Sequence, residues 1–166
     1  MSDRRSFIKK TAVGAAGVAL GATAFSAKSY GNILGANDRV ILGSVGIRGR
    51  GKGLLEIFSK MYKDGVTVKT ICDVDSEFFA ERAKMAGDNQ KGNKPGTVTD
   101  MRKLYEDNEI DAVVIATPNH WHALAAIWAC QAGKHVYVEK PSSHNVWEGR
   151  KMIEAARKYN RVVQVG

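Results

Sequence analysis

Short apolar stretches that alternate with helical patterns constrain the fold of this chain more than any other feature of its sequence. The apolar stretches are continuous rather than alternating in polarity, which is typical of strands buried on both faces of a sheet. They predict five strands, at Arg39–Val45, Val66–Cys72, Ala112–Ala116, His135–Val138 and Arg161–Val165. Strands separated by helices pair in parallel, so the sequence predicts an α/β fold, a doubly wound parallel sheet covered on both faces.

The segments between these strands carry helix signals. The first has apolar residues at helical spacing, at Leu54, Leu55, Phe58, Met61 and Tyr62. Hydroxyl, amide and proline residues at helix starts predict further helices. These helices cover Glu77–Ala86, Met101–Tyr105 after a Thr99 cap, Thr117 to about Ala132, and Asn145 to Tyr159. Gly87–Gly96 is predicted to be a polar loop.

A glycine cluster follows the first strand and opens the first helix. Gly46 and Gly51 have the spacing of the outer glycines of G-x-G-x-x-G, a turn whose backbone amides approach a pyrophosphate. Arg48 stands at the middle position, and Gly49 could supply the close approach instead. Arg48 or Arg50 would then add positive charge for the phosphates. The alternative is a glycine-rich turn without a ligand.

Asp73 ends the second strand, 22 residues after Gly51. A carboxylate at about this distance accepts hydrogen bonds from the adenosine ribose in dinucleotide sites. It favours NAD over NADP because it repels a 2′-phosphate, but Arg48 and Arg50 weaken that preference and leave NADP open. The alternative role of Asp73 is a helix N-cap, for which Asp75 is an equal candidate.

The third strand ends in a polar segment that faces the same cleft as the glycines. Thr117 and Pro118 start a helix there, and Asn119 and His122 could contact the nicotinamide side of a cofactor. The alternative is that Thr117 and Pro118 only begin the helix and that the histidine lies on the surface. The sequence leaves both interpretations open.

Glu139, Lys140 and Pro141 follow the fourth strand. Ligands bind at the carboxyl ends of strands in open α/β sheets, so this lysine is expected in the cleft. A desolvated lysine there could take the proton of a substrate hydroxyl while hydride leaves the same carbon. The alternative is an exposed lysine in a strand-to-helix connection.

The N-terminal 27 residues predict an export signal. Arg4 and Arg5 precede a short apolar stretch rich in small residues, and adjacent arginines in this position resemble a twin-arginine signal. A membrane anchor is the competing interpretation, but the stretch is shorter than the roughly 20 residues that a span needs. The protein is therefore expected in the periplasm or cell envelope. Residues 28–38 would form a linker and residues 39–166 the folded domain.

Composition excludes several classes of protein. The net charge of +8 falls to +5 without residues 1–27, which leaves 21 basic and 16 acidic residues. The basic residues are scattered, which argues against nucleic-acid binding. Cys72 and Cys130 share no metal-ligand spacing and predict two buried thiols, with a disulfide left open. No metal site is predicted.

These motifs together resemble the Gfo/Idh/MocA family of oxidoreductases. The resemblance runs from about Arg39 to Gly166 and rests on the glycine turn, on Cys72–Asp75, on Ala116–Asn119 with His122, and on Glu139–Pro141. It implies a Rossmann domain that holds NAD or NADP. It further implies that Lys140 is catalytic or binds substrate and that Glu139 lies near the nicotinamide ribose. Arg48 departs from the family's usual turn.

The family also has a second α/β domain after the Rossmann half, which supplies substrate contacts and usually the oligomer interface. The sequence ends at a strand where the family continues, so we expect the N-terminal part of a longer enzyme or a truncated product. The resemblance implies a small sugar- or polyol-like substrate, and a homo-oligomer when the second domain is present. Some family members use NAD transiently to hydrolyse glycosides. That activity and a non-catalytic dinucleotide-binding module are the alternatives.

Overall fold

The computed structural model describes residues 39–166. The predicted export signal and linker lie outside the described residues. Among the described helices, none combines the length and the apolar character that crossing a bilayer requires.

Six parallel strands form one sheet in the order β3-β2-β1-β4-β5-β6. Their bounds are Val40–Val45 for β1, Val66–Cys72 for β2, Gly96–Val98 for β3, Ala112–Ile115 for β4, His135–Val138 for β5 and Val163–Val165 for β6. The chain moves outward from β1 to β3 and then returns to place β4 on the other side of β1. This reversal opens a crevice beyond the carboxyl ends of β1 and β4, where open α/β sheets bind their ligands.

Within residues 39–166, five α-helices connect the strands: α1 (Gly49–Lys60), α2 (Phe79–Asn89), α3 (Met101–Tyr105), α4 (Asn119–Gln131) and α5 (Val146–Lys158). A short 3₁₀ turn at Met61–Asp64 follows the C-terminal end of α1, and another at Ser76–Phe78 precedes the N-terminal end of α2.

Two hydrophobic cores lie on opposite faces of the sheet. Leu54 and Leu55 of α1 and Ala86 of α2 pack against Leu42, Val68 and other strand residues on one face. Helices α3, α4 and α5 cover the other face with residues such as Leu104, Ala126 and Met152. The doubly wound sheet predicted from the sequence is therefore confirmed.

The structure corrects the sequence prediction at three places. The predicted loop Gly87–Gly96 begins inside α2, which runs to Asn89, and ends at the first residue of the edge strand β3, where Gly96 pairs with Thr70 of β2. Asp100 rather than Thr99 caps α3, because its carboxylate accepts a hydrogen bond from the Arg102 amide. Pro118 occupies the cap position of α4, and no side chain caps this helix.

At α5 the predicted cap is confirmed: Asn145 accepts a hydrogen bond of 2.9 Å from the Glu148 amide.

A buried glutamine completes β2 where the short β3 does not reach. The Gln90 side chain accepts a hydrogen bond of 2.6 Å from the Val68 amide and donates one of 3.1 Å to the Val68 carbonyl. Gln90 is fully buried. It thus pairs both backbone groups of Val68, which would otherwise lack partners in the interior.

The two cysteines are free, buried thiols, as predicted. Cys72 ends β2 directly before Asp73. Burial, reinforced by the negative charges of Asp73 and Asp100, raises the pKa of the Cys72 thiol to about 12. It therefore stays protonated at neutral pH and packs as a small apolar side chain.

Candidate dinucleotide-binding site

The glycine turn joins β1 to α1 at the edge of the crevice. Gly46 has a φ of +81°, a left-handed conformation that favours glycine, and its amide donates a hydrogen bond of 2.8 Å to the Cys72 carbonyl. A Cβ atom at Gly46 would lie 2.6 Å from the Ala116 carbonyl oxygen. The turn is therefore pressed against the end of β4 and tolerates no side chain at this position.

The two other glycines of the turn have different surroundings. A Cβ atom at Gly51 would lie 2.0 Å from the Gly46 carbonyl oxygen, so this glycine allows α1 to pack directly on the turn. Gly49 begins α1 with a φ of +43°, and a Cβ there would meet no atom within 4 Å. Gly49 thus leaves open space at the positive end of the helix dipole, where a phosphate binds favourably.

Asp73 is fixed by the backbone of the turn. One of its carboxylate oxygens accepts a hydrogen bond of 3.0 Å from the Ile47 amide and the other accepts one of 3.1 Å from the Asp75 amide. Each oxygen keeps a further lone pair for a ribose hydroxyl. The N-cap of the following 3₁₀ turn is Asp75, whose carboxylate accepts from the Glu77 amide. The sequence left open which of these two aspartates is the N-cap. In the structure Asp75 is the cap, whereas Asp73 holds the turn.

Arg48 extends towards the connection between β2 and α2. Its guanidinium donates a hydrogen bond of 3.0 Å to the Asp75 carboxylate and lies 4.5 Å from the centre of the Phe78 ring. The side chain at the position of the usual second glycine therefore points towards the β2 side of the turn.

Arg82 was missed by the sequence analysis. It is buried on α2, donates a hydrogen bond of 3.1 Å to the Ile47 carbonyl and forms an ion pair with Glu81. Its guanidinium lies 5.3 Å from the Phe78 ring centre. Together with Asp73 it pairs both backbone groups of Ile47. An arginine in an amphipathic helix carries no sequence signal for such a role.

Arg50 connects the glycine turn to the end of β5. Its Nε atom donates a hydrogen bond of 2.7 Å to the Glu139 carboxylate. Arg50 is exposed, whereas the Glu139 side chain is only 8% exposed. The hydrogen bond from Arg50 is the main reason that the pKa of Glu139 lies below its ordinary value, against the effect of burial. Glu139 is therefore ionised at neutral pH and holds Arg50 across the crevice.

Lys140 follows Glu139 at the crevice. Its amide donates a hydrogen bond of 3.2 Å to the Glu139 carboxylate, and its peptide bond to Pro141 is cis. Lys140 is exposed rather than desolvated, which agrees with the alternative of an exposed lysine in a strand-to-helix connection. The contact between Arg50 and Glu139 brings this lysine-bearing loop next to the glycine turn, 89 residues earlier in the chain.

The segment after β4 contributes two exposed residues and one enclosed hydroxyl group. Asn119 and Pro118 are exposed at the start of α4. The hydroxyl oxygen of Thr117 is buried and has no hydrogen-bond partner. Thr117 adjoins the turn, because a Cβ at Gly46 would lie 2.9 Å from the Thr117 amide nitrogen. A buried hydroxyl without a partner at this place fits a site completed by a polar ligand.

His122 does not face the crevice. Its side chain lies in the interior, and its two ring nitrogens lie 2.7 Å from the carbonyl oxygens of Pro141 and Thr117. This placement corrects the interpretation of His122 as a surface histidine, whereas its contact with a nicotinamide stays a prediction. His122 instead connects the loop after β5 to the loop after β4. The helical spacing of Ala125, Ala126 and Ala129 from His122 places it on the buried face of α4, a signal that could have predicted this.

The described residues fit a dinucleotide. Gly49 leaves open space at a helix N-terminus, Asp73 retains lone pairs for a ribose, and the Thr117 hydroxyl lacks a partner. Residues 42–166 match the family model described as an oxidoreductase family with an NAD-binding Rossmann fold.

The chain belongs to the Gfo/Idh/MocA family.

Similar proteins agree with the family assignment. The chain is 34% identical over 170 residues to glycosyl hydrolase family 109 protein 2 of Shewanella sp. strain ANA-3, covering 93% of this chain and 37% of that protein. An NAD-binding oxidoreductase of Klebsiella pneumoniae superposes with a TM-score of 0.65 at 27% identity, over 77% of this chain and 34% of that one. The WlbA dehydrogenase of Bordetella pertussis, in complex with NADH and UDP-GlcNAcA, gives a TM-score of 0.63 at 26% identity, over 77% and 37%.

This Gfo/Idh/MocA chain thus contains an NAD-binding Rossmann domain and spans little more than a third of the length of the relatives that it matches.

Proposed function

We propose that this domain serves an oxidoreductase that moves a hydride between NAD(P) and a sugar- or polyol-like alcohol. The observation that carries the proposal is the 2.7 Å contact between Arg50 and Glu139. It brings the glycine turn, where a pyrophosphate would bind, next to the loop that carries Lys140. A cofactor held by the turn and a substrate hydroxyl within reach of Lys140 would therefore share one crevice.

Some residues of the proposed site would bind the cofactor, and another would transfer a proton. The nicotinamide of a bound cofactor supplies hydride exchange with the substrate carbon. Gly46, Gly49 and Gly51 would admit the pyrophosphate, and Asp73 would accept hydrogen bonds from the adenosine ribose. Arg50 would add positive charge beside the phosphates.

Glu139 and Lys140 lie at the reacting side of the proposed site. Glu139 is ionised and would accept a hydrogen bond from the nicotinamide ribose. Lys140 would take the proton of the hydroxyl group on the carbon that loses hydride. The names of the similar proteins support a carbohydrate substrate, since one is a glycosyl hydrolase family member and another is a dehydrogenase bound to UDP-GlcNAcA.

Glycoside hydrolysis through transient oxidation is the second candidate, and the named glycosyl hydrolase relative favours it. Both candidates use the same crevice and the same cofactor. They differ in the net change of the cofactor over one turnover. A dehydrogenase accumulates reduced cofactor, whereas a glycosidase returns the cofactor to its starting oxidation state. Absorbance of the reduced nicotinamide, followed together with sugar release from a panel of polyols and glycosides, separates them.

Lys140→Ala tests the proposed chemistry in this chain or in a longer protein that carries the domain. Loss of a general base is expected to lower kcat by about 10²–10⁴-fold. Binding of NAD, measured by calorimetry, should change little because the turn and Asp73 remain. Lys103→Ala, which removes an exposed lysine on α3, is the matched control and should keep full activity. Unchanged turnover in Lys140→Ala would favour a non-catalytic dinucleotide-binding module.

We also propose that the protein is exported through its twin-arginine sequence. The support is the pair Arg4–Arg5 before a short stretch rich in Gly and Ala. Replacing both arginines with lysine is expected to leave the protein in the cytoplasm, as measured by fractionation of the host cells. Lys9 and Lys10 replaced by arginine provide a control of equal charge. Export of the double-lysine variant at the normal level would contradict the proposal.

A further inference from the structure

A group of charged and aromatic side chains lies on the β2 side of the glycine turn. We call it the β2-side cluster; it comprises Arg48, Asp73, Asp75, Phe78 and Arg82. Asp73 belongs to it because its carboxylate holds the Ile47 and Asp75 amides. In a Rossmann site the adenosine ribose lies against the carboxylate that ends β2. The cluster therefore surrounds the place where the 2′ position of the ribose would lie.

The positive charge that a 2′-phosphate requires is present in this cluster but already engaged. Arg82 is buried, its Nε atom donates to the Ile47 carbonyl and its guanidinium pairs with Glu81, so its position is fixed at the turn, although its buried Nη1 atom makes no hydrogen bond. Arg48 is the exposed guanidinium of the cluster, with 59% of its side chain accessible, and it pairs with Asp75 at 3.0 Å. The Phe78 ring lies beneath Arg48 and limits where its guanidinium can move.

The Arg48–Asp75 ion pair is open to exchange. Its Asp75 side chain is 36% exposed, and solvent-exposed ion pairs contribute little to stability. An arginine binds a phosphate through charge-assisted hydrogen bonds that can be bidentate. A 2′-phosphate would therefore compete directly with Asp75 for Arg48, while the adjacent Asp73 carboxylate would repel it.

We propose that Asp75 determines nucleotide selectivity by occupying Arg48, so that the protein prefers the 2′-hydroxyl of NAD, and that loss of the Asp75 charge opens a 2′-phosphate site. The proposal rests on the assignment of the turn as a cofactor site. It gives Asp73 and Asp75 different tasks. Asp73 holds the turn and accepts the ribose, whereas Asp75 controls the availability of Arg48.

Asp75→Asn is the variant that isolates this role. The amide oxygen of asparagine can still cap the 3₁₀ turn by accepting from the Glu77 amide, so the fold is preserved. The full chain is titrated by calorimetry with 5′-AMP and 2′,5′-ADP, which differ only in the 2′-phosphate, and with NAD and NADP. We expect affinity for 2′,5′-ADP and NADP to rise about tenfold, the effect of one charge-assisted contact, while 5′-AMP and NAD bind as before.

Two further variants make the result specific. Arg48→Ala in the Asp75→Asn background should remove the gain, because the phosphate then has no guanidinium to bind. Glu77→Gln removes a neighbouring exposed carboxylate and should leave the selectivity unchanged.

An equal change for the phosphorylated and unphosphorylated ligands would overturn the proposal, as would a gain that survives Arg48→Ala or that appears in Glu77→Gln. A wild-type chain that binds NAD but prefers NADP would also overturn it, with the cofactor assignment intact. A wild-type chain that binds none of the four ligands would instead overturn the cofactor assignment, and this inference with it.

Discussion

Replacing Gly51 with alanine is expected to abolish dinucleotide binding and to lower the free energy of unfolding by about 1–3 kcal/mol or more. The added methyl group would lie 2.0 Å from the Gly46 carbonyl oxygen. This oxygen belongs to the backbone, so no change of side-chain rotamer can relieve the clash. Helix α1 would have to move away from β1, and the turn would open where the pyrophosphate binds. Urea unfolding and NAD calorimetry measure the two effects.

The same helix provides the control. Gly53 lies two residues further along α1, and a Cβ there would meet no atom within 4 Å. Because alanine is a better helix former than glycine, Gly53→Ala should raise the free energy of unfolding by up to about 1 kcal/mol. It should leave NAD binding intact. Equal free energies of unfolding for Gly51→Ala and Gly53→Ala would show that the turn can move to accept the added methyl group. This result would contradict the expected clash with the Gly46 carbonyl oxygen.

The parallel sheet and the location of the site could be predicted because both depend on strong local patterns. Continuous apolar strands identified every strand except β3, and the Gly46–Gly51 spacing identified the strand-to-helix turn. The edge strand β3 was missed because it has three residues, Gly-Thr-Val, and its residues range from partly buried to exposed. Its pairing with β2 is decided by the position of β2, not by a pattern of its own.

The distribution of roles within the site could not be predicted, because it depends on contacts between distant segments. Asp73 and Asp75 are two residues apart and both precede a helical turn, so the sequence treats them alike. Only the approach of the Ile47 amide to Asp73, and of Arg48 to Asp75, separates them. Arg50 was expected at the phosphates, and its 2.7 Å contact with Glu139 became visible only with β1 and β5 in one sheet.

His122→Phe is expected to lower the free energy of unfolding by about 1–3 kcal/mol and to weaken the binding of NAD. Phenylalanine fills a similar volume but donates no hydrogen bond, so the Pro141 and Thr117 carbonyls lose the ring nitrogens that lie 2.7 Å away. Those carbonyls belong to the loops that present Lys140 and the unpartnered Thr117 hydroxyl. Their loosening should raise the dissociation constant for NAD even though His122 itself faces the interior.

His120→Phe separates this effect from the general cost of removing a histidine. His120 lies on the same helix one half-turn earlier but is exposed, so its replacement should change the free energy of unfolding by no more than about 0.5 kcal/mol. Denaturant unfolding and NAD titration of the two variants give the comparison. If His122→Phe proves as stable and binds NAD as tightly as His120→Phe, then His122 does not hold the two loops. The position of the Lys140 loop next to the glycine turn must then come from other contacts, such as the Arg50–Glu139 hydrogen bond and the bond of 2.9 Å from the Glu139 amide to the Ile115 carbonyl.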